Sequence, residues 1–188
     1  MLGRRMGTRR LDRSSRLRIR FARCFLSTFH QGGRSKAVAL NQPKDCKTTT
    51  VGNLFVVRWH AFTHESCNYV VRAISALHTG SGSRVPYLGI MPDDMARIDD
   101  EGRKALETLM TGIEQHCELA AVAVESRGFA GAAYRSLLTG LMLVSGRRAR
   151  IKFVDTVDAA VELLRPYPLP SDAQIRAAIG EVGDRWAA

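Results

Sequence analysis

The residues best suited to chemistry lie in one short run, His60, His64 and Cys67. Neutral imidazoles and a thiolate are good zinc ligands. The run crosses an expected strand-to-helix turn, so its side chains do not share one helix face, and a fourth ligand is not evident. A nucleophile–base pair of Cys67 and His64 would also lack an orienting third group and an oxyanion site. The sequence therefore predicts no metal site, no catalytic residue and no cofactor.

Two turns have compositions that are typical of anion binding. Gly80–Arg84 is glycine-rich, but it follows a helical pattern and precedes an apolar run, whereas phosphate loops lie between a strand and a helix N-terminus. The turn at 125–128 has the correct order, and Ser126 and Arg127 are its candidate anion-binding residues. A solvated turn is the simpler interpretation of it. A basic patch consists of Arg147, Arg148, Arg150 and Lys152. It lacks interleaved aromatic residues and is too short to indicate nucleic-acid binding.

Four short apolar runs, each followed by an amphipathic helical stretch, must position these residues. Strands alternating with helices predict an α/β domain with a largely parallel sheet. Proline cannot donate to a sheet ladder, so we expect the second strand to begin after Pro86. The predicted fold is a small, mainly parallel four-stranded sheet with helices packed on it. Its strands are Leu54–Trp59, Tyr87–Met91, Leu119–Glu125 and Ile151–Val154.

Polar residues mark the expected helix starts. Thr63 precedes the first helix, and Asp155 or Thr156 precedes a short later one. Three acids, Asp99 to Glu101, begin the second helix, where the helix dipole favours negative charge. The sequence Ser171–Gln174 has the capping-box pattern and opens a C-terminal amphipathic helix. We expect that last helix either to dock on the domain or to present its apolar face to a partner.

The charge is concentrated near the N-terminus. The chain of 188 residues has a net charge of +10, and residues 1–50 carry 13 Lys and Arg against two acids, whereas residues 51–188 carry 15 against 16. The sequence thus predicts a disordered basic tail over 1–50, an α/β domain over 51–165, and a proline-rich linker with the C-terminal helix over 166–188. Val51 could be encoded by an alternative bacterial start codon. An organelle-targeting segment and an arm with weak polyanion or acidic-lipid binding are the alternatives for 1–50.

The cysteines and the hydropathy pattern bear on the compartment. Cysteines 24, 46, 67 and 117 are widely spaced and form no C-x-x-C pair, unlike the dense frameworks of secreted scaffolds. We expect a reducing, cytoplasmic setting, with organelle targeting as the alternative, and we expect Cys67 and Cys117 to be small buried hydrophobes. The chain contains no apolar run of the roughly 18 residues that a membrane span needs.

Two segments resemble the STAS domain, which is shared by sulfate-transporter tails and anti-sigma-factor antagonists. Residues 91–106, MPDDMARIDDEGRKAL, are similar to the family's strand, loop, I-D-S-S-G motif and apolar helix. Residues 151–160, IKFVDTVDAA, resemble its closing strand and F-D-S-V-E-E-A helix start. The strand and helix between them follow in the family's order. The resemblance covers about residues 51–165 and implies a STAS-like fold.

The resemblance implies a non-enzymatic signalling domain that binds another protein of the regulator or kinase class. In phosphorylated antagonists the second serine of the motif receives the phosphate; here Glu101 stands at that position and Asp100 at the first serine. A carboxylate is not a serine-kinase substrate, so the resemblance implies a permanently charged, non-switching member. Ordinary helix-start acids are the simpler interpretation. The partner-binding residues so predicted are Asp93, Asp94, Asp99, Asp100, Glu101 and Arg103. The helix Ser171–Trp186 is a second candidate contact.

Two further function classes stay open. One is an α/β domain that binds an anionic small molecule, or an uncharacterised enzyme, with its site at the carboxyl ends of the strands near Asp93, Arg127 and Asp155. The other is a tether, through residues 1–50, to nucleic acid or to an anionic membrane.

Overall fold

A computed structural model of the chain describes residues 42–126, 128–144 and 150–183. These residues form five strands and five helices. The strands are β1 (Cys46–Val51), β2 (Leu54–Trp59), β3 (Val85–Met91), β4 (Cys117–Val124) and β5 (Ile151–Val154). The helices are α1 (His64–Ser81), α2 (Asp100–His116), α3 (Gly128–Val144), α4 (Val157–Leu164) and α5 (Asp172–Gly183). All four predicted apolar runs are strands. The predicted basic tail, apart from 42–50, lies outside the described residues.

The described strands form one mixed sheet in the order β1-β2-β3-β4-β5. The four predicted strands are mutually parallel, but β1 pairs antiparallel with β2 through a hairpin in which Gly52 has φ +56°. The prediction of a four-stranded sheet was therefore wrong. The reason is that β1 is an edge strand, and edge strands tolerate the polar, half-exposed threonines that made this segment look like part of the tail.

Pro86 is inside β3, so the expectation that this strand begins after the proline was also wrong. The pairing of β3 with β2 begins only at Tyr87, opposite Phe55. On the other side, the register with β4 shifts between Val85 and Tyr87. The irregularity lies at the residue that has no amide hydrogen to donate, as is usual for a proline within a sheet.

Helices cover both faces of the sheet. On one face α1, α2 and Leu138 of α3 pack against side chains such as Val57, Tyr87 and Val122. On the other face α4 and α5 pack against Val56, Leu88 and Ala121. The strand β4 is buried at every position except Glu118, as expected for a strand covered on both faces.

The C-terminal helix is docked on the domain. Ile175, Ala178 and Val182 of α5 are buried against β1 and β2, and the Thr49 hydroxyl donates to the Glu181 carboxylate over 2.8 Å. The sequence left open whether this helix docks on the domain or presents its apolar face to a partner, and in the structure it is docked. The apolar face of α5 is therefore covered, which weakens the case for this helix as a partner contact.

The expected helix starts are confirmed. Thr63 caps α1 by a reciprocal capping box with Ser66, and the Ala159 amide donates to the Thr156 hydroxyl at the start of α4. At the start of α5, the Ser171 amide donates to the Gln174 side chain over 3.0 Å. These bonds satisfy amides that have no partner within the helix.

The helices α1 and α2 pack closely at Gly112. A Cβ atom added at Gly112 would lie 2.6 Å from Cγ2 of Val71, well inside van der Waals contact. The two helices must separate to admit a methyl group there. We expect Gly112→Ala to lower the free energy of unfolding by about 1–3 kcal/mol, as overpacking usually does, measured by urea denaturation.

The matched control is Gly180→Ala in α5, where nothing lies within 4 Å of the added Cβ. Helix propensity there favours alanine by roughly 0.5–1 kcal/mol. Equal changes in the stability of the two variants would contradict a close α1–α2 contact.

Candidate functional site

Most of the candidate residues meet at the edge of the sheet where its parallel strands end. The loop after β3 is held there by backbone bonds: the Ala96 amide donates to the His60 carbonyl over 2.8 Å, and the Glu125 amide donates to the Met91 carbonyl over 2.9 Å. Met95 is buried and anchors the loop from inside. We call the loop at 92–99 and the first turn of α2 the acidic edge.

Asp99 and Gly102 fix the start of α2. The Gly102 amide donates to Oδ1 of Asp99 over 2.8 Å, which makes Asp99 the N-cap. A Cβ atom on Gly102 would lie 3.2 Å from the Phe62 carbonyl oxygen, so the helix start is pressed against the loop that follows β2. Asp99 therefore has a structural role, whether or not it also binds a partner.

Asp100 and Glu101 project from this fixed start into solvent. Their side chains are 90% and 71% exposed. Asp100 lies 3.7 Å from Arg103, and Glu101 lies 3.4 Å from Lys104 and 3.5 Å from His64. Exposed ion pairs of this kind contribute little and exchange readily with other partners. Both carboxylates are thus available to another molecule.

Asp93 and Asp94 are exposed on the loop before α2. Asp93 also lines a shallow cleft with Ser126 and with Tyr134 of α3. The structure therefore brings all six predicted partner-binding residues to one edge. Their part in binding stays a prediction.

Two ion pairs near the ends of the strands were not foreseen. Arg58 lies 3.4 Å from Glu125, and Arg135 lies 3.0 Å from Asp155. Each arginine joins segments far apart in sequence, so local spacing gives no signal for it. Arg127 lies outside the described residues. Because these arginines already face carboxylates and the cleft carries Asp93, the described residues favour an anionic ligand here only weakly.

The run of His60, His64 and Cys67 does not assemble a site. Cys67 is fully buried, and burial raises the pKa of its thiol to about 12, which leaves it protonated and a poor nucleophile. Cys117 is equally buried, so the interpretation of both as small hydrophobes is confirmed. Within the described segments, no three His, Cys, Asp or Glu side chains are arranged to hold a metal ion.

The glycine-rich turn after α1 has a structural role. Gly82 adopts a left-handed conformation, φ +66°, and its amide donates to the His78 carbonyl, which ends the helix. This is the usual place of glycine at a helix C-terminus. In the basic patch, Arg150 donates to the Cys117 carbonyl over 3.1 Å, while Arg147 and Arg148 lie outside the described residues.

At the opposite edge of the sheet, two histidines meet at the ends of α1 and α2. The ring centroids of His78 and His116 are 5.4 Å apart. Nδ1 of His116 and Nη1 of Arg84 are buried without a hydrogen-bond partner among the described residues. Burial, then the charges of His78 and Arg84, lower the pKa of His116 below its ordinary value of 6.5.

No protein-family model matches this chain, and no curated protein matches it significantly. None of the described helices combines the length and the apolar character that a membrane crossing requires.

We expect substitutions of Asp99 and Asp100, two acids of the acidic edge, to differ in their effect on the stability of the fold. Asp99→Ala removes the cap and should cost about 1 kcal/mol of unfolding free energy. Asp100→Ala is the matched control, because its pair with Arg103 is exposed and such surface changes usually alter stability by less than about 0.5 kcal/mol. Chemical denaturation measures both. A cost for Asp100→Ala as large as that for Asp99→Ala would contradict this division of roles.

The lowered pKa of His116 predicts a pH dependence with a definite sign. The unfolded chain takes up a proton on this imidazole near pH 6.5, but the folded chain does so only at lower pH. Acid therefore favours the unfolded state, and this contribution to stability is lost as the pH falls from about 7. We expect His116→Gln to flatten the fall in Tm between pH 7 and 5. Identical slopes in wild type and His116→Gln would exclude the effect.

Proposed function

We propose that this protein is a non-enzymatic regulatory domain that resembles STAS anti-sigma-factor antagonists and binds another protein through its acidic edge. One observation carries the proposal. The two carboxylates that stand in place of the motif serines, Asp100 and Glu101, are the most exposed groups of a helix start that is otherwise tightly fixed.

The arrangement of the elements supports the proposal. The two segments that resemble the family are the end of β3 with its loop and the start of α2, and β5 with the start of α4. The elements β4 and α3 come between them, and β3, β4 and β5 lie side by side in chain order. Because these strands are parallel, the loops that follow β3 and β5 leave the same edge of the sheet, which supports the comparison.

Permanent charge at this position has a physical consequence. The helix dipole favours negative charge in the first turn by roughly 0.3–1 kcal/mol for each carboxylate. A serine at the same place would be neutral until a kinase acted on it. The proposed partner is a protein with a basic surface, and the acidic edge would act as a constant docking signal for it.

The outward side of α2 defines the character of the proposed contact. Its apolar stripe, which includes Leu106, Leu109 and Ile113, faces the core. Exposed positions beside the acids are polar or charged, such as Arg103 and Lys104. Such a surface gives orientation and a fast encounter more than high affinity. We therefore expect a salt-sensitive contact of moderate strength.

The other function classes stay open as predictions. The cleft beside Asp93 has a volume of only about 10 Å³ and acidic surroundings, so it favours an anionic small molecule only weakly. The tether hypothesis concerns residues 1–50, most of which lie outside the described residues.

The decisive experiment neutralises the two acids without changing their shape. A full-length Asp100→Asn/Glu101→Gln variant should bind a partner, isolated by cross-linking to the wild-type chain and then purified, at least tenfold more weakly in calorimetric titration. The matched control is Asp158→Asn/Glu118→Gln, which removes the same charge from exposed positions outside the acidic edge. Wild-type affinity should also fall as salt rises. Equal losses in both variants, or affinity that is insensitive to salt, would exclude the acidic edge as the contact.

A further inference from the structure

The helices α1 and α2 end beside each other at the edge of the sheet where its parallel strands begin. Each helix follows one of two parallel strands, β2 or β3, so both helices return to this edge. The rings of His78 and His116 are in the last turns of the two helices, and their centroids are 5.4 Å apart. The two helix ends are therefore in contact through a pair of imidazoles.

His116 lies at a junction that has no loop. The helix α2 ends at His116, and β4 begins at the next residue, Cys117, whose amide donates to the Ile113 carbonyl. From the start of β5, the Arg150 side chain donates to the Cys117 carbonyl over 3.1 Å. A movement of the end of α2 must therefore act on the start of β4, where the side chain of Cys117 is fully buried.

The surroundings of His116 suit a neutral imidazole. Its Nδ1 atom and Nη1 of Arg84 are both buried, and neither has a hydrogen-bond partner among the described residues. Burial lowers the pKa of His116, and the charges of His78 on α1 and of Arg84 before β3 lower it further. The acids nearest in sequence, Glu114 and Glu118, are not among the groups that shift this pKa. A proton on His116 would thus create a charge at a poorly solvated site beside two basic groups, which is unfavourable.

We propose that the ends of α1 and α2 form an acid-sensitive latch, which is closed while His116 is neutral and opens when this residue takes up a proton beside His78 and Arg84. Outward movement of the end of α2 returns the new charge to water. The dipole of a helix favours a cation at its C-terminus, but here burial and the basic neighbours act in the opposite direction. The latch lies at the edge of the sheet opposite the acidic edge, so this inference is independent of the proposed partner contact.

The opening is expected to be local. One turn before His116, Gly112 of α2 is in close contact with Val71 of α1, because a Cβ atom on this glycine would overlap the valine side chain. That contact holds the two helices together, and only the turns beyond it are free to separate. Helix ends are also the parts of a fold that open at the lowest cost in free energy.

Three buried cysteines allow a test on the full chain. Cys117 adjoins the latch, whereas Cys46 is on β1 and Cys67 is in the first turn of α1. The probe is 4,4′-dithiodipyridine, which reacts with accessible thiols in mild acid. Peptide mass mapping assigns each labelling rate to one cysteine, and each rate is divided by that of a cysteine peptide at the same pH.

In the open state His116 has its ordinary pKa of 6.5, so acid raises the open population. Between pH 7.5 and 5.5 the rise is up to about tenfold for one imidazole, and labelling follows this population when reclosing is fast. We expect the rate for Cys117 to rise by this order and the rates for Cys46 and Cys67 to stay unchanged.

His116→Gln keeps a polar side chain that cannot be charged, so labelling of Cys117 should lose its dependence on pH. His78→Gln leaves His116 in place but removes a basic neighbour, and it should reduce this dependence. The matched control is His64→Gln at the opposite edge of the sheet, which should leave the dependence unchanged. Equal acceleration at all three cysteines would show global unfolding and overturn the latch. A rate for Cys117 that ignores pH, or that responds to pH equally in His116→Gln, would overturn it as well.

Discussion

The position of α2 is set by two close approaches that depend on glycine. At its start, Gly102 lies against the Phe62 carbonyl while Asp99 caps the first turn. Further along, Gly112 lets Val71 of α1 approach the helix backbone. Side chains cannot slide past such contacts without separating the elements, because protein interiors are close-packed. The helix therefore has little freedom to shift along or around its axis.

Much of the fold could be predicted because the relevant signals are local. The strands β2 and β5 have the bounds that their apolar runs suggested, and Thr63, Asp99 and Thr156 cap helices through bonds within three residues. The antiparallel strand β1 could not be seen in this way. Its threonines are half-exposed on the edge of the sheet, and they pair with β2 through backbone groups that every sequence shares. Pro86 was misjudged because a bulge can accommodate a proline that a regular ladder cannot.

The same distinction between local and long-range signals applies to the candidate site. The acids at 99–101 are adjacent in sequence, so their clustering was visible beforehand. The pair of Trp59 and Tyr87 joins residues 28 positions apart, and the pair of Arg58 and Glu125 joins residues 67 positions apart. Such contacts depend on which strands become neighbours and in which register, and periodicity carries no information about that. These two contacts could therefore be found only in three dimensions.

The two sides of α2 have separate roles in the proposed function. The outward side presents carboxylates that a serine kinase cannot phosphorylate, so the acidic edge would not be switched by such a kinase at these positions. The inward side packs Leu106, Leu109 and Ile113 into the core. A partner that binds the carboxylates can shift α2 only as far as it binds two positions of the helix with different free energy. Because two glycine contacts restrain this helix, the proposed contact would form on a surface that is already in place.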